Sequence, residues 1–140
     1  MGIDDAFDKA RWHDGSVHDE GLPEEQSFVH TGLFVAWCAL NGLWDPEHSD
    51  EEVLRAMRER TASPIALYEW NNGCFFPFML TKEGREFAHT YFDFVMGEYL
   101  KDYATTLALG LPSTYRVPNT WESYDRVAPV IETRYRAFKA

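Results

Sequence analysis

The side chains best suited to chemistry gather in two places. His13, Asp14, His18, Asp19 and Glu20 crowd one short polar stretch that also contains Gly15. Imidazole nitrogens and carboxylate oxygens are ligands for zinc or for a harder divalent ion. Their spacing matches no standard metal pattern, so the stretch reads as a solvated polar loop and no metal site is expected. Further along, His30, Thr31 and Gly32 are the interruptions in an otherwise apolar run from Phe28 to Leu40. A histidine in that setting is at least partly buried and needs a hydrogen-bond partner. Two roles fit it. It is a structural residue that pins a neighbouring loop, or it is a general base. The second role needs a nucleophile or a carboxylate within about 3 Å. Asp93, Glu98 and Asp102 are the acids best placed to reach inward, and a polar pocket around His13, His30 and Asp102 is the concrete form of that alternative. His89 and Asp93 share a helix face, a spacing that arises often by chance. Thr31 can bond a backbone carbonyl one turn back.

Other chemistries find little support. There is no G-x-S-x-G elbow, no P-loop, no dinucleotide fingerprint and no calcium-binding loop pattern. Cys38 and Cys74 lie in apolar surroundings, without the helix start or basic neighbours that make a thiol reactive. They read as small buried thiols in a reducing compartment. No cofactor is expected. Trp12 beside His13 is notable, because a tryptophan in a mobile tail harms solubility. It is expected to dock on the body, giving a candidate binding set of Trp12, His13, His30, Thr31 and Asp102.

Charge narrows the partners. The net charge is -10, and it is uneven. Residues 1–25 hold eight acids against Lys9 and Arg11, and residues 45–52 hold five acids and no lysine or arginine. No basic patch meets phosphates, so nucleic-acid binding is disfavoured and none is expected. A basic partner protein is compatible, with Asp14, Asp19, Glu20, Asp45, Glu47, Asp50 and Glu51 as the facing surface. The simpler alternative is an acidic surface that aids solubility. The longest apolar run, Leu33 to Leu40, is too short to span a bilayer. The start carries Asp4, Asp5 and Asp8 and no apolar run, so no leader is expected and the protein reads as cytoplasmic.

The elements that must position these residues are helices. At 140 residues the chain fits one domain, with residues 1–21 as a polar segment docked on the body. A short helix is expected at Ile3–Trp12. A central helix runs within Leu22–Leu43. It is apolar nearly all round and therefore buried on most sides, with Pro23 at its start and Asn41-Gly42 at its end. Ser49 and Glu52 form a capping box for a surface helix to Arg60. Ser63-Pro64 predicts a short helix to Asn71, against a rival hairpin about Asn72-Gly73. Thr81 caps a long helix from Lys82 to about Ala108, about 40 Å in length. Phe87, Tyr91, Val95, Tyr99, Tyr103 and Leu107 form its stripe, and Gly97 marks close packing or a kink. A last helix begins at Asn119, with Glu122 in its capping box and Pro129 as a kink. Trp121, Tyr124, Ala128, Ile131, Tyr135 and Phe138 follow at spacings of 3, 4, 3, 4 and 3. The expected fold is an all-α, single-domain bundle of five to six helices around the central one.

Several stretches together resemble a known family. They are KARWH at Lys9 to His13, LPEEQSFVHTGLFVAW at Leu22 to Trp37, LTKEGREFAHTYFD at Leu80 to Asp93, YLKDY at Tyr99 to Tyr103 and TWESYD at Thr120 to Asp125. They resemble an uncharacterised family of small bacterial cytoplasmic proteins, which carries no established chemistry to transfer. In size and acidity such proteins are similar to the immunity proteins of bacterial toxin systems. The leading expectation is a non-catalytic protein-binding module, immunity- or antitoxin-like, that occludes a partner. The alternatives are a small enzyme or metal-binding protein with the His13–His30–Asp102 pocket, and a structural homo-oligomer. Monomer and homodimer both remain open.

Overall fold

The computed structural model describes residues 5–140. The fold is all-α, with one very small sheet. In chain order the elements are β1 (Asp8–Lys9), α1 (Asp14–Asp19), α2 (Val29–Leu40), α3 (Glu51–Arg58), α4 (Ala66–Trp70), β2 (Cys74–Phe75), α5 (Lys82–Tyr91), α6 (Tyr99–Leu107) and α7 (Trp121–Lys139). Single turns of 3-10 helix join several of them. The start of the short helix expected at Ile3–Trp12 lies outside the described residues. Its remainder is strand β1 followed by a turn at Ala10–His13.

Helix α2 is the centre. Every residue from Val29 to Cys38 is buried. Its first turn is shorter than the sequence suggests, because Glu24–Ser27 forms a separate 3-10 turn behind Pro23. The far end closes as expected: Gly42 takes φ 76° and the Leu43 N–H bonds the Cys38 carbonyl at 2.9 Å. Helices α3, α4 and α7 pack against α2, and α6 packs along α7. Gly32 allows the closest approach. A Cβ there would lie 2.6 Å from Ile65 Cγ2, just ahead of α4. The Phe34 ring meets Phe92 at 4.8 Å and Tyr99 at 5.2 Å, and Trp37 meets Tyr135 at 5.4 Å. This aromatic cluster supplies much of the apolar burial that holds the layers together.

The long helix expected over 82–108 is two helices. After Tyr91 the chain leaves the helix, and Asp93 Oδ1 accepts from the N–H groups of Val95 and Met96 at 2.8 and 2.9 Å. A short side-chain acceptor thus competes with the helical ladder and wins. Val95, assigned to the buried stripe by its spacing, is 88% exposed, while Phe92 is fully buried. Gly97 is required by close approach, since a Cβ there would lie 2.0 Å from the Tyr91 carbonyl oxygen. Two caps also differ from expectation. Asp50, not Ser49, caps α3 by accepting from the Val53 N–H at 3.2 Å. Thr120 caps α7 by accepting from the Ser123 N–H at 3.1 Å, so that helix starts at Trp121. Each is the residue one position nearer the helix with a side-chain oxygen in reach.

The break in the helix makes two measurements informative. Val95→Ser leaves stability within about 0.5 kcal/mol in urea denaturation, as for any exposed site, whereas a continuous helix would make it costly. Asp93→Ala destabilises by about 1 kcal/mol near neutral pH through loss of the turn bonds. The Met96 and Val95 N–H groups hold the Asp93 carboxyl below its usual 3.8. The unfolded chain therefore takes up the proton first, and the penalty of Asp93→Ala shrinks as pH falls below that value.

Candidate functional site

The N-terminal end of α2 is covered by the chain's first described segment. Asn72 and Gly73 both take left-handed φ, 58° and 68°, and turn the chain from α4 into β2. The hairpin signal is thus a real turn, but β2 does not pair with the segment before it. It pairs antiparallel with β1, Asp8 opposite Phe75 and Lys9 opposite Cys74. Two flanking bonds extend the ladder, Phe7 N–H to the Phe75 carbonyl and Ala10 N–H to the Gly73 carbonyl, both 2.8 Å. The strand buries Phe7 against Phe75 and Phe92, and it delivers Asp8 to the start of α2.

Asp8 is the centre of a buried polar cluster, with no solvent exposure. Thr31 Oγ1 donates to its Oδ2 at 2.5 Å. His13 Nε2 lies 2.7 Å from Oδ1, and His30 Nε2 lies 3.4 Å from Oδ2. The His13 and His30 rings meet edge to face at 4.5 Å. His13 Nδ1 lies 2.7 Å from the Tyr115 hydroxyl, brought by the turn Thr114–Arg116. Since a carboxylate only accepts, Nε2 of His13 donates to Asp8, and Nδ1 of a neutral ring accepts the tyrosine hydroxyl. The Phe94 ring closes over both imidazoles at 6.2 Å. The His30 carbonyl accepts from the Tyr99 hydroxyl at 2.6 Å, which fixes α6 against this end of α2.

Electrostatics follow from burial and pairing. Burial pushes the Asp8 carboxyl up, but hydrogen bonding and charge from His13 and His30 outweigh it and leave it at about 2. Burial lowers the His30 pKa, against the opposing pull of Asp8. Burial also raises the Tyr68 hydroxyl, and the Asp8 charge adds to the shift. Asp8 is therefore a permanent buried anion surrounded by donors. Both ring nitrogens of His13 have partners within the protein, Nε2 at Asp8 and Nδ1 at the Tyr115 hydroxyl. Burial raises the Cys38 thiol well above its usual range, which keeps it inert. Among the described residues, Asp8, His13 and His30 are a group whose ligand atoms, one from each, all lie within 4.8 Å of one another.

The other candidate residues divide. Thr31 joins His13 and His30 in the cluster, but Asp102 does not. Its carboxylate takes Arg134 Nε at 2.8 Å and Nη2 at 2.9 Å, and the Tyr91 hydroxyl at 2.7 Å. It is a tie between α5, α6 and α7, so the pocket of His13, His30 and Asp102 is replaced by one centred on Asp8. Trp12 does not dock fully. It is 52% exposed, with the Lys9 ammonium 5.7 Å from its ring. Of the acidic set, Asp14 accepts from Ser27 Oγ at 2.9 Å, and Glu20 holds Ser113 and Arg116 at 2.8 and 3.1 Å. Asp45 accepts from the Glu47 N–H at 3.0 Å, and Asp50 caps α3. Asp19, Glu47 and Glu51 project into solvent. Asp8 and Tyr115 are the residues that sequence reasoning missed. Asp8 carries no helical spacing to His13, and Tyr115 sits in a proline-flanked loop. The available signal was that Asp8 shares the polar segment of the Trp12-His13 pair, although Asp14 is the nearer acid in sequence.

Buried charge makes the cluster sensitive to single changes. Asp8→Ala leaves His13 Nε2 and the Thr31 hydroxyl without their acceptor and costs about 3–5 kcal/mol in urea denaturation. Thr31→Val costs about 1–3 kcal/mol. A double-mutant cycle of Asp8→Asn and Thr31→Val gives a coupling of about 1 kcal/mol or more, whereas Asp102→Asn paired with Thr31→Val is additive.

Searches of the curated proteins and of the solved structures found no match. A family model described as a domain of unknown function, DUF7832, matches residues 6–117. That span includes Asp8, His13, His30, Thr31 and Tyr115 and ends before α7. The chain is a member of the DUF7832 family.

Proposed function

We propose that this protein is a non-catalytic binding module that occludes a basic partner protein, in the manner of a bacterial immunity protein acting in the cytoplasm. One observation carries the reading: a run of exposed aromatic side chains that ends at an acidic turn. The Lys9 ammonium lies 5.7 Å from the Trp12 ring and 5.5 Å from the Phe76 ring. Phe76 stacks on Phe78 at 5.2 Å, and Phe78 meets His48 at 5.1 Å. Trp12 and Phe78 are 52% and 54% exposed. Large aromatic side chains held partly in water are the anchors that protein interfaces use. His48 belongs to the turn Pro46–His48, which carries Glu47 and follows Asp45. Behind that turn a groove of about 420 Å³ opens between Trp44, Pro46, Leu54 and the Glu51–Arg58 pair.

Charge selects the partner. The aromatic run ends at the turn with Asp45 and Glu47, and the whole chain is at -10, so a basic surface is drawn in and a second copy of this chain is repelled. That argues against the homo-oligomer. In the alternative pocket at His13 and His30 the carboxylate is Asp8 and not Asp102, which is held by Arg134.

The test compares the wild type with Trp12→Ala/Phe78→Ala, both immobilised in lysate of the native host. Both side chains are exposed, so the variant folds. The expected result is a basic protein bound by the wild type and at least about 10-fold more weakly by the variant, since an interface anchor contributes about 2 kcal/mol or more. Binding also weakens with added salt. Capture that is unchanged in the variant overturns the proposal. So does light scattering that shows a wild-type dimer broken by Phe78→Ala, which assigns the aromatic run to self-association.

A further inference from the structure

We propose that Asp8, His13 and His30 form a site for a divalent transition metal of the zinc class, with one ligand atom from each residue and an open fourth position. This stands apart from the partner surface and would hold if that reading failed.

The geometry carries it. In a tetrahedral site with bonds of about 2.0–2.1 Å, neighbouring ligand atoms lie about 3.3 Å apart. His30 Nε2 is 3.4 Å from Asp8 Oδ2, which is that separation. It is also longer than the about 2.7–2.9 Å of a charge-assisted hydrogen bond. His13 Nε2 lies 2.7 Å from the other oxygen, Oδ1, so with Oδ2 as the ligand the metal takes the place of that hydrogen bond. Both imidazoles turn the same nitrogen, Nε2, onto one carboxylate, and the three ligand atoms converge within 4.8 Å.

The surroundings are those of a ligand set held in place. Metal-bound histidine donates its other ring N–H to a fixed acceptor. Here the other nitrogen of His13 meets the Tyr115 hydroxyl at 2.7 Å. With the metal on Nε2, the tautomer reverses, and Nδ1–H donates to that oxygen. Thr31 holds the carboxylate from behind.

Chemistry selects the ion. Two imidazoles and one carboxylate suit zinc, cobalt or ferrous iron, and not magnesium or calcium, which prefer oxygen ligands. The His13 side chain is 16% exposed, against 0% for Asp8 and 6% for His30, so the ion enters past His13. Once bound, it ties β1 and the turn after it to α2, and so couples metal binding to the docking of the N-terminal segment.

The test strips the full chain with a chelator, then titrates it with Zn²⁺ alone by calorimetry and with Co²⁺ alone by visible absorption. One ion per chain is expected, with cobalt bands of nitrogen and oxygen ligation and no thiolate-to-cobalt band. Mg²⁺ gives no heat. His13→Gln and His30→Gln each weaken binding by more than about 100-fold, and Tyr115→Phe by about 10-fold, the effect of losing an outer partner. Circular dichroism verifies folding. If a histidine variant unfolds, the wild-type spectrum and Tyr115→Phe decide. Three results overturn the proposal: no saturable Zn²⁺ binding by the wild type, equal affinity in Tyr115→Phe and wild type, or a thiolate band that assigns the ion to Cys74.

Discussion

The buried charge of Asp8 constrains the rest of the structure. An ionised carboxylate away from water is tolerated only when donors surround it. Its partners come from three separate parts of the chain: the Thr31 hydroxyl and the nearby His30 ring on the central helix, His13 on the turn after β1, and, through His13, Tyr115 on the loop before α7. Satisfying one acid therefore fixes the N-terminal segment, the start of α2 and the 111–118 loop relative to one another. The small sheet with β2 is the other half of that arrangement, since the ladder bonds set where Asp8 stands along the helix end.

Around that end the apolar physics is conventional. Helix α2 is buried on all sides over ten residues, Val29 to Cys38, and so needs cover from every direction. The cover is assembled from several short helices and not from one long wall. Phe92 turns into the cluster with Phe34 and Tyr99, and the chain breaks at that point so that α6 can run along α7. Arg134, Asp102 and Tyr91 then lock the three outer helices together through a bidentate pair and a tyrosine hydroxyl. This polar tie lies at the surface, with Arg134 42% exposed, and it fixes orientation more than it adds stability.

The two functional readings use opposite faces of the same short segment. Trp12 projects outward to the aromatic run, while its neighbour His13 turns inward to Asp8. A segment that must bury one residue and expose the next is suited to link an internal site to an external surface.

The amino-acid sequence by itself determined the helical class, the central position of α2, its glycine-ended C-terminus and the one-sided seam of α7. Those features rest on local periodicity and on turn chemistry, which neighbours in sequence decide. It also pointed to the N-terminal end of α2 as the place where His13, His30 and Thr31 would meet. Only the tertiary structure decided which acid joins them. Asp8 reaches the cluster through pairing with a strand more than sixty residues away, Cys74–Phe75, and Asp102 is withdrawn by an arginine on α7. The break after Tyr91 was hidden for a related reason. Val95 continues the four-residue spacing, so periodicity favours one helix, and the competing bonds from Asp93 carry no periodic signal. Long-range pairing and local capping compete on nearly equal energies, and which one wins depends on what the surrounding core must cover.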